Sequence, residues 1–357
     1  MTAPVAHASA RRLRVPLSRP WGPDVSEVSV IVVDVQDSDG ASGQGFAWTP
    51  SIGARAVLAM IEDHVLPHAV GRPASPDAWT DGWEHVHEAG GGGVTTIALA
   101  GLDLALWDLR CRRESMPLAD ALGRRHDTQP AYGSGVNLHY SLHELVSQAK
   151  RWVEAGFGAV KVKVGRPTLA EDLERLRAVR DVIGPERSLM VDANQRWDVD
   201  TAAVAANAMA EVGIAWLEEP LRADDLAGHV ALKARTSVPI ALGENLHTLH
   251  RFRDFIAAGA VDVVQPNVIR VGGITPFLDV AALARDAGVA LAPHLLPEIS
   301  AQLAFALPER TWVEDVEGAG FWQSGALKAP TGVTIADGRV SGGRRAGLGF
   351  EFKEEIS

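Results

Sequence analysis

The sequence predicts an α/β fold, a parallel eight-stranded barrel of the TIM type carrying a smaller α+β module, and three observations predict it. Asp192, Glu218 and Glu244 each end a short apolar run and stand 26 residues apart. A step of that size holds one strand, one helix and two loops, so successive βα units deliver three carboxylates to one rim of a barrel. From Gln129 to about Glu314, β-rich runs alternate with amphipathic helical stretches, whereas the pattern before Thr128 is different. Finally, 357 residues exceed one average domain, and 46% hydrophobic with 22% charged residues is ordinary for a globular enzyme.

In chain order, residues 26–36 alternate as a strand with Val28, Val30 and Val32 on one side, and residues 43–48 form its antiparallel neighbour. Helical patterns follow over 54–64, 77–88 and 95–113, completing an α+β capping domain over residues 1–127. Gly90–Gly93 lacks a following Lys-Ser/Thr and a preceding strand, so it reads as a flexible connector and not a phosphate cradle. The barrel is assigned to 128–317, with strands ending near Ser134, Lys163, Asp192, Glu218, Gly243, Gln265, Pro293 and Glu314. Its clearest helix places Leu173, Leu176, Val179 and Ile183 on one face. Residues 318–357 are glycine-rich with no helical pattern, and are expected to return to the capping domain.

Charge and composition exclude several functions. A net charge of −11 without a basic run argues against a nucleic-acid groove. The only cysteine, Cys111, rules out an intrachain disulfide and points to the cytoplasm. Residues 1–14 lack a continuous apolar segment, and no stretch approaches the roughly 18 apolar residues of a spanning helix, so neither export nor a membrane is expected.

Three converging buried carboxylates repel one another unless a cation joins them, and oxygen-only donors suit Mg²⁺ first. One βα unit earlier, strand periodicity puts Lys161 and Lys163 on one face of AVKVKVG and the valines on the other. Facing the barrel interior, each ammonium should lower the other's pKa, which makes a lysine a usable base. His294 ends a run five strands further on, so it should flank the same centre from the opposite side. Glu314 on the last strand is a candidate either for a hydrogen bond to a substrate oxygen or for a salt bridge to a barrel lysine, and His139, after the first barrel strand, is a candidate either for the pocket lining or for a plain loop histidine. Arg19 and Trp21 sit in a loop ahead of the first strand, where a lid over the mouth could lie. His64, His68, His85 and His87 have no matching carboxylate pattern and read as surface residues.

Together, KVKVG at 161–165, VDANQRW at 191–197, WLEEP at 216–220, GEN at 243–245, QPNVIRVGGIT at 265–275 and APHLLPEIS at 292–300 resemble the enolase superfamily, mandelate racemase subgroup. GLDLALWDL at 101–109 resembles the last cap helix of that group. Within it the chain looks most similar to acid-sugar dehydratases of the talarate and galactarate type. The resemblance implies a modified (β/α)₇β barrel under a cap completed by the C-terminal tail. It makes Asp192, Glu218 and Glu244 ligands of one Mg²⁺, with Glu219 outside that set. Lys163 becomes the general base, Lys161 steadies the substrate carboxylate, His294 is the second acid/base group, and Glu314 bonds the substrate carboxylate. Loops around Arg19–Gly22 and Trp48–Ser51 choose the substrate.

One position departs from the pattern. Where the family pairs its histidine with an aspartate, this chain has Asn267. An amide orients an imidazole without stabilising its charged form. Racemisation, which needs bases on both faces, suffers most. The implied function is therefore a Mg²⁺-dependent hydro-lyase forming a 2-keto-3-deoxy acid from a sugar acid through an enediolate. A racemase, epimerase or cycloisomerase is the alternative, and a catalytically impaired binding protein is the third reading. The expected partners are a small carboxylate substrate and further copies of the chain as a homo-oligomer.

Overall fold

The valine-rich segment Glu27–Asp37 forms β2, the central strand of an antiparallel sheet with β1 (Val5–Pro16) and β3 (Ser42–Thr49) beside it. The computed structural model describes residues 2–22 and 25–356. β2 carries Val28, Val30 and Val32 on one side as its alternation predicts, and Ile31, Val33 and Val35 on the other are buried as well, because both faces of the sheet are covered. Helix Val94–Arg113 lies on one face so closely that a Cβ on Gly45 would come 2.3 Å from the Ala105 nitrogen. On the other face Phe46 meets Phe321, Phe350 and Phe352, with ring centroids 5.1–5.3 Å away.

β1 escapes sequence reading because its run HASARRLR carries little hydrophobicity. Pairing with β2 holds it, helped by ion pairs from Arg11 to Asp34 and from Arg14 to Glu27. The glycines at 90–93 are not a free tether. The Thr95 hydroxyl donates to the Gly90 and Gly92 carbonyls at 2.5 and 3.0 Å, pinning the turn to the helix it precedes.

The barrel strands are β4 (Thr128–Ser134), β5 (Ala159–Lys163), β6 (Ser188–Asp192), β7 (Ile214–Glu218), β8 (Ile240–Leu242), β9 (Val263–Val264), β10 (Ala290–Leu291) and β11 (Val313–Val316). A parallel ladder runs β10-β9-β8-β7-β6-β5-β4, with β11 on the far side of β4. Across the seam between β10 and β11, the Thr311 hydroxyl donates to the Leu291 carbonyl and the Leu295 N–H donates to Glu314 at 3.0 Å. One helix joins each consecutive pair of strands, from Leu142–Glu154 to Pro297–Ala306, which gives the order (β/α)₇β.

Side-chain caps start five of these seven helices, at Ser141, Thr168, Asp198, Asp225 and Thr248. Ser141 with Glu144, and Thr168 with Glu171, form reciprocal capping boxes. Tyr132, Ala159, Met190, Trp216, Ala241 and Ala292 pack together inside the barrel. The tail divides its contacts. β12 (Val333–Ala336) and β13 (Arg339–Gly342) form a hairpin that pairs antiparallel with β4, and only then do Phe350 and Phe352 reach the cap sheet. Among the described residues no helix is long and apolar enough to cross a membrane.

Candidate active site

Parallel register sets the first part of the site. Lys163 is paired with Asp192 across β5 and β6, and Asp192 with Glu218 across β6 and β7, so three charged side chains stand in a row at the strand ends. Lys161 points inward below Lys163, as period two requires, and Val160, Val162 and Val164 are buried. One carboxylate oxygen from each of Asp192, Glu218 and Glu244 lies within 4.8 Å of the other two. Three hard oxygen donors at that spacing fit a divalent cation such as Mg²⁺.

Each carboxylate is also fixed from behind. Asp192 accepts the Asn194 N–H at 2.8 Å and a bond from the Lys163 ammonium. Glu218 accepts Lys161 at 2.7 and 2.9 Å and the Gln265 amide at 2.8 Å. Glu244 faces His294 Nε2 at 2.6 Å and accepts the Asn245 amide at 3.1 Å. The neighbouring Glu219 is turned away by a φ of +38° and is held by Asn245 at 2.9 Å.

The lysines correct one expectation. Burial disfavours the Lys161 ammonium, but Glu218 and Glu314, at 2.7 and 2.8 Å, hold its pKa well above the usual range. Lys163 is likewise raised, burial being outweighed by Asp192. Mutual repulsion between the two ammoniums is the smaller effect while carboxylates face them. A divalent cation on those carboxylates would take up their charge and leave burial and Lys161 to act on Lys163.

The acids respond in opposite directions. Burial pushes Glu218 up to about 7 despite Lys161. Glu314 would be raised by burial but is held down to about 2 by Lys161 and His294. Burial lowers His294, yet Glu244 and Glu314 together hold it above its ordinary value.

A cavity of about 190 Å³ opens over this row, lined among others by Trp21, Trp48, Lys163, Glu244, Asn267, His294 and Glu314. Lys163 stands on one side and His294 on the other, as their places five strands apart require. Among the described residues, several sequence candidates do not reach this cavity. Lys161 lies beneath it, with only 1% exposure, bonded to carboxylates in the position where it was expected to touch substrate. Arg19 is taken up by Glu144 at 2.8 Å and stacks over Tyr140, 3.6 Å from its centroid. His139 packs edge-on against the same tyrosine.

Other residues were missed. Arg270 and Asn194 line the cavity, and Gln265 braces Glu218 from the end of β9. Gln265 could have been found by the rule that exposed Asp192, a polar residue ending an apolar strand. Leu295 gives no such signal; its φ of +57° aims a backbone N–H at Glu314.

The chain matches known proteins along nearly its whole length. Residues 5–123 match the mandelate racemase/muconate lactonizing enzyme N-terminal domain, and residues 144–356 the enolase C-terminal domain-like family. It is 38% identical to a 3,6-anhydro-alpha-L-galactonate cycloisomerase of Streptomyces coelicolor, over 90% of this chain and 89% of that protein. To an L-talarate/galactarate dehydratase of Salmonella typhimurium it is 36% identical, over 93% of this chain and 82% of the relative. An L-talarate dehydratase from Polaromonas sp. JS666, solved with Mg and L-glucarate, superposes with a TM-score of 0.87 at 33% identity, covering 99% of this chain and 96% of that one.

Proposed function

Because the chain belongs to the mandelate racemase/muconate lactonizing enzyme family within the enolase superfamily, we propose that this enzyme of the lyase or isomerase kind is a Mg²⁺-dependent acid-sugar dehydratase. The observation that carries this reading is the placement of Lys163 and His294 on opposite sides of one carboxylate cluster, Lys163 bonded to Asp192 and His294 to Glu244. Asp192, Glu218 and Glu244 would hold the cation. When bound, Mg²⁺ supplies positive charge next to a substrate carboxylate and so makes the neighbouring C–H more acidic.

Lys163 Nζ takes the proton from the carbon next to the carboxylate. Lys161, fixed below by Glu218 and Glu314, adds positive charge under the oxygens on which negative charge develops. The β-hydroxyl takes a proton from His294 Nε2 and leaves as water, and Lys163 afterwards releases the proton it took to solvent. The net change is loss of one C–H hydrogen and one hydroxyl as water, leaving an enol that ketonises to a 2-keto-3-deoxy acid. Trp21 and Trp48, whose ring centroids lie 6.1 Å apart, close the mouth and exclude water. The buried free thiol of Cys111 supports the cytoplasm as its place of work.

The test is a panel of mono- and diacid sugars incubated with the protein and Mg²⁺, read for 2-keto acid. Formation from at least one member is expected, and silence across the panel sinks the proposal. The likeness to a cycloisomerase favours a second reading. Deuterium entering the carbon next to the carboxylate of recovered substrate in D₂O, without keto acid, would select it.

A further inference from the structure

The turn that carries Asn267 and Arg270 is tied at its far end to the capping domain. At its near end Asn267 closes it: Oδ1 accepts the N–H of Ile269 at 3.0 Å and that of Arg270 at 3.1 Å, and its backbone carbonyl accepts the Val271 N–H at 3.0 Å. Nδ2 of the same amide lies 3.0 Å from His294 Nδ1, and Arg270 lines the cavity. The Gly273 N–H bonds back to the Val268 carbonyl at 2.8 Å, so the two ends of the turn are held to one another.

Helix Ile274–Asp286, which begins where the turn ends, has no side-chain cap of its own, because Gly273 occupies that position. Asp103, in the middle of helix Val94–Arg113 of the capping domain, takes the place of one. Its Oδ2 accepts the Thr275 N–H at 3.1 Å, and its Oδ1 accepts the Thr275 hydroxyl at 2.6 Å. That hydroxyl in turn accepts from Trp107 Nε1 at 3.0 Å, and Trp79 Nε1 donates to the Gly272 carbonyl at 2.8 Å. The approach is close: a Cβ on Gly273, whose φ is +124°, would stand 2.3 Å from Asp103 Oδ2. Two segments that stood out in the sequence, 101–109 and 265–275, thus meet in one buried joint.

We propose that Asp103 is a positioning residue of the active site: by capping helix Ile274–Asp286 from the other domain, it fixes the turn that sets Asn267 against His294 and Arg270 in the cavity wall. Trp79 and Trp107 complete the joint. The capping domain then acts twice on the cavity, bringing Trp21 and Trp48 over its mouth and holding the wall opposite Lys163.

The experiment compares Asp103→Ala with Asp103→Asn in the full chain. Asn keeps a carbonyl oxygen for the Thr275 N–H and an amide for its hydroxyl, whereas Ala keeps neither. Hydrogen exchange read by mass spectrometry requires no substrate. It should quicken over residues 267–273 in Asp103→Ala and stay native there in Asp103→Asn, with β6 and β7 unchanged in both. Exchange that quickens in helix Val94–Arg113 and leaves 267–273 protected overturns the proposal. Should Asp103→Ala fail to fold, Thr275→Val replaces it, losing both hydroxyl bonds while keeping the capped N–H.

The turnover measurement rests on the dehydratase reading and uses the sugar acid that yields most 2-keto acid. Asp103→Ala should lose about 10–10²-fold in turnover, the effect of a misplacement of about 1 Å in the cavity wall. Mg²⁺ affinity, followed by calorimetry, should be kept, and Asp103→Asn should recover most of the lost turnover. Unchanged turnover in Asp103→Ala overturns the proposal, and so does a loss that Mg²⁺ affinity shares in proportion. If the exchange pattern is as expected while the native chain consumes no sugar acid, the dehydratase reading fails alone.

Discussion

Lys163 and Asp192 are register partners across β5 and β6, and the ammonium of one is bonded to the carboxylate of the other. The side chain suited to remove a proton is therefore positioned by a group suited to hold the cation. Lys163→Met keeps the apolar stem and removes the amine. Turnover should fall by about 10²–10⁴-fold, the usual contribution of a positioned base. Mg²⁺ affinity, followed by calorimetry, should stay the same or tighten, since an ammonium beside the ligand is gone. A collapse of metal affinity with turnover intact would make Lys163 scaffolding.

Removing the cation should be visible without any substrate. Asp192, Glu218 and Glu244 crowd their oxygens within 4.8 Å of one another, so a divalent ion binds the folded chain and has no such cluster in the unfolded one. Mg²⁺ at a hundred times its dissociation constant should add about 2.7 kcal/mol to stability. Chelator should reverse the gain, and Glu244→Gln should abolish most of it. Identical melting of the native chain in Mg²⁺ and in chelator would count against the site.

The carboxylates and the lysine strand were legible because strand period and βα spacing are local properties of the chain. Lys161 on the inner face of β5 follows from counting by two, and Asp192, Glu218 and Glu244 from counting by 26. Other features depend on partners distant in sequence. β1 is a strand because β2 accepts its backbone, although its own residues are mostly small or charged. Arg19 was assigned to substrate, but Glu144, itself the capping partner of Ser141, claims it. The raised pKa values of the lysines come from Glu218, Glu314 and Asp192, whose distances no sequence pattern states.

Phe46 joins β3 to the C-terminal tail through three rings, Phe321, Phe350 and Phe352, and all four are buried. Phe46→Ala should cost about 3–5 kcal/mol, as core aromatic truncations do. Urea denaturation measures this directly. Limited proteolysis should cut first in the tail, because its aromatic anchors lose their common partner. Equal protection of the tail in the variant would mean that the hairpin on β4 alone secures it.

Asp103 gives stability a pH dependence of predictable sign. It is buried in helix Val94–Arg113 against the barrel, where Oδ1 accepts the Thr275 hydroxyl at 2.6 Å and Oδ2 the Thr275 N–H at 3.1 Å. Burial pushes its pKa up to about 7, although both bonds oppose the shift. Unfolded, the same carboxyl titrates near 4. Between those values the folded chain keeps a proton that the unfolded chain has lost, so this group's contribution falls as pH rises through the window and levels off above it. Three pKa units correspond to about 4 kcal/mol at most. Asp103→Asn removes the titration while retaining an acceptor. The stability of the variant relative to the native chain, from urea denaturation, should therefore increase between pH 5 and pH 8. The other titrating groups cancel in that difference, so a constant value would show that Asp103 stays ionised across the interface.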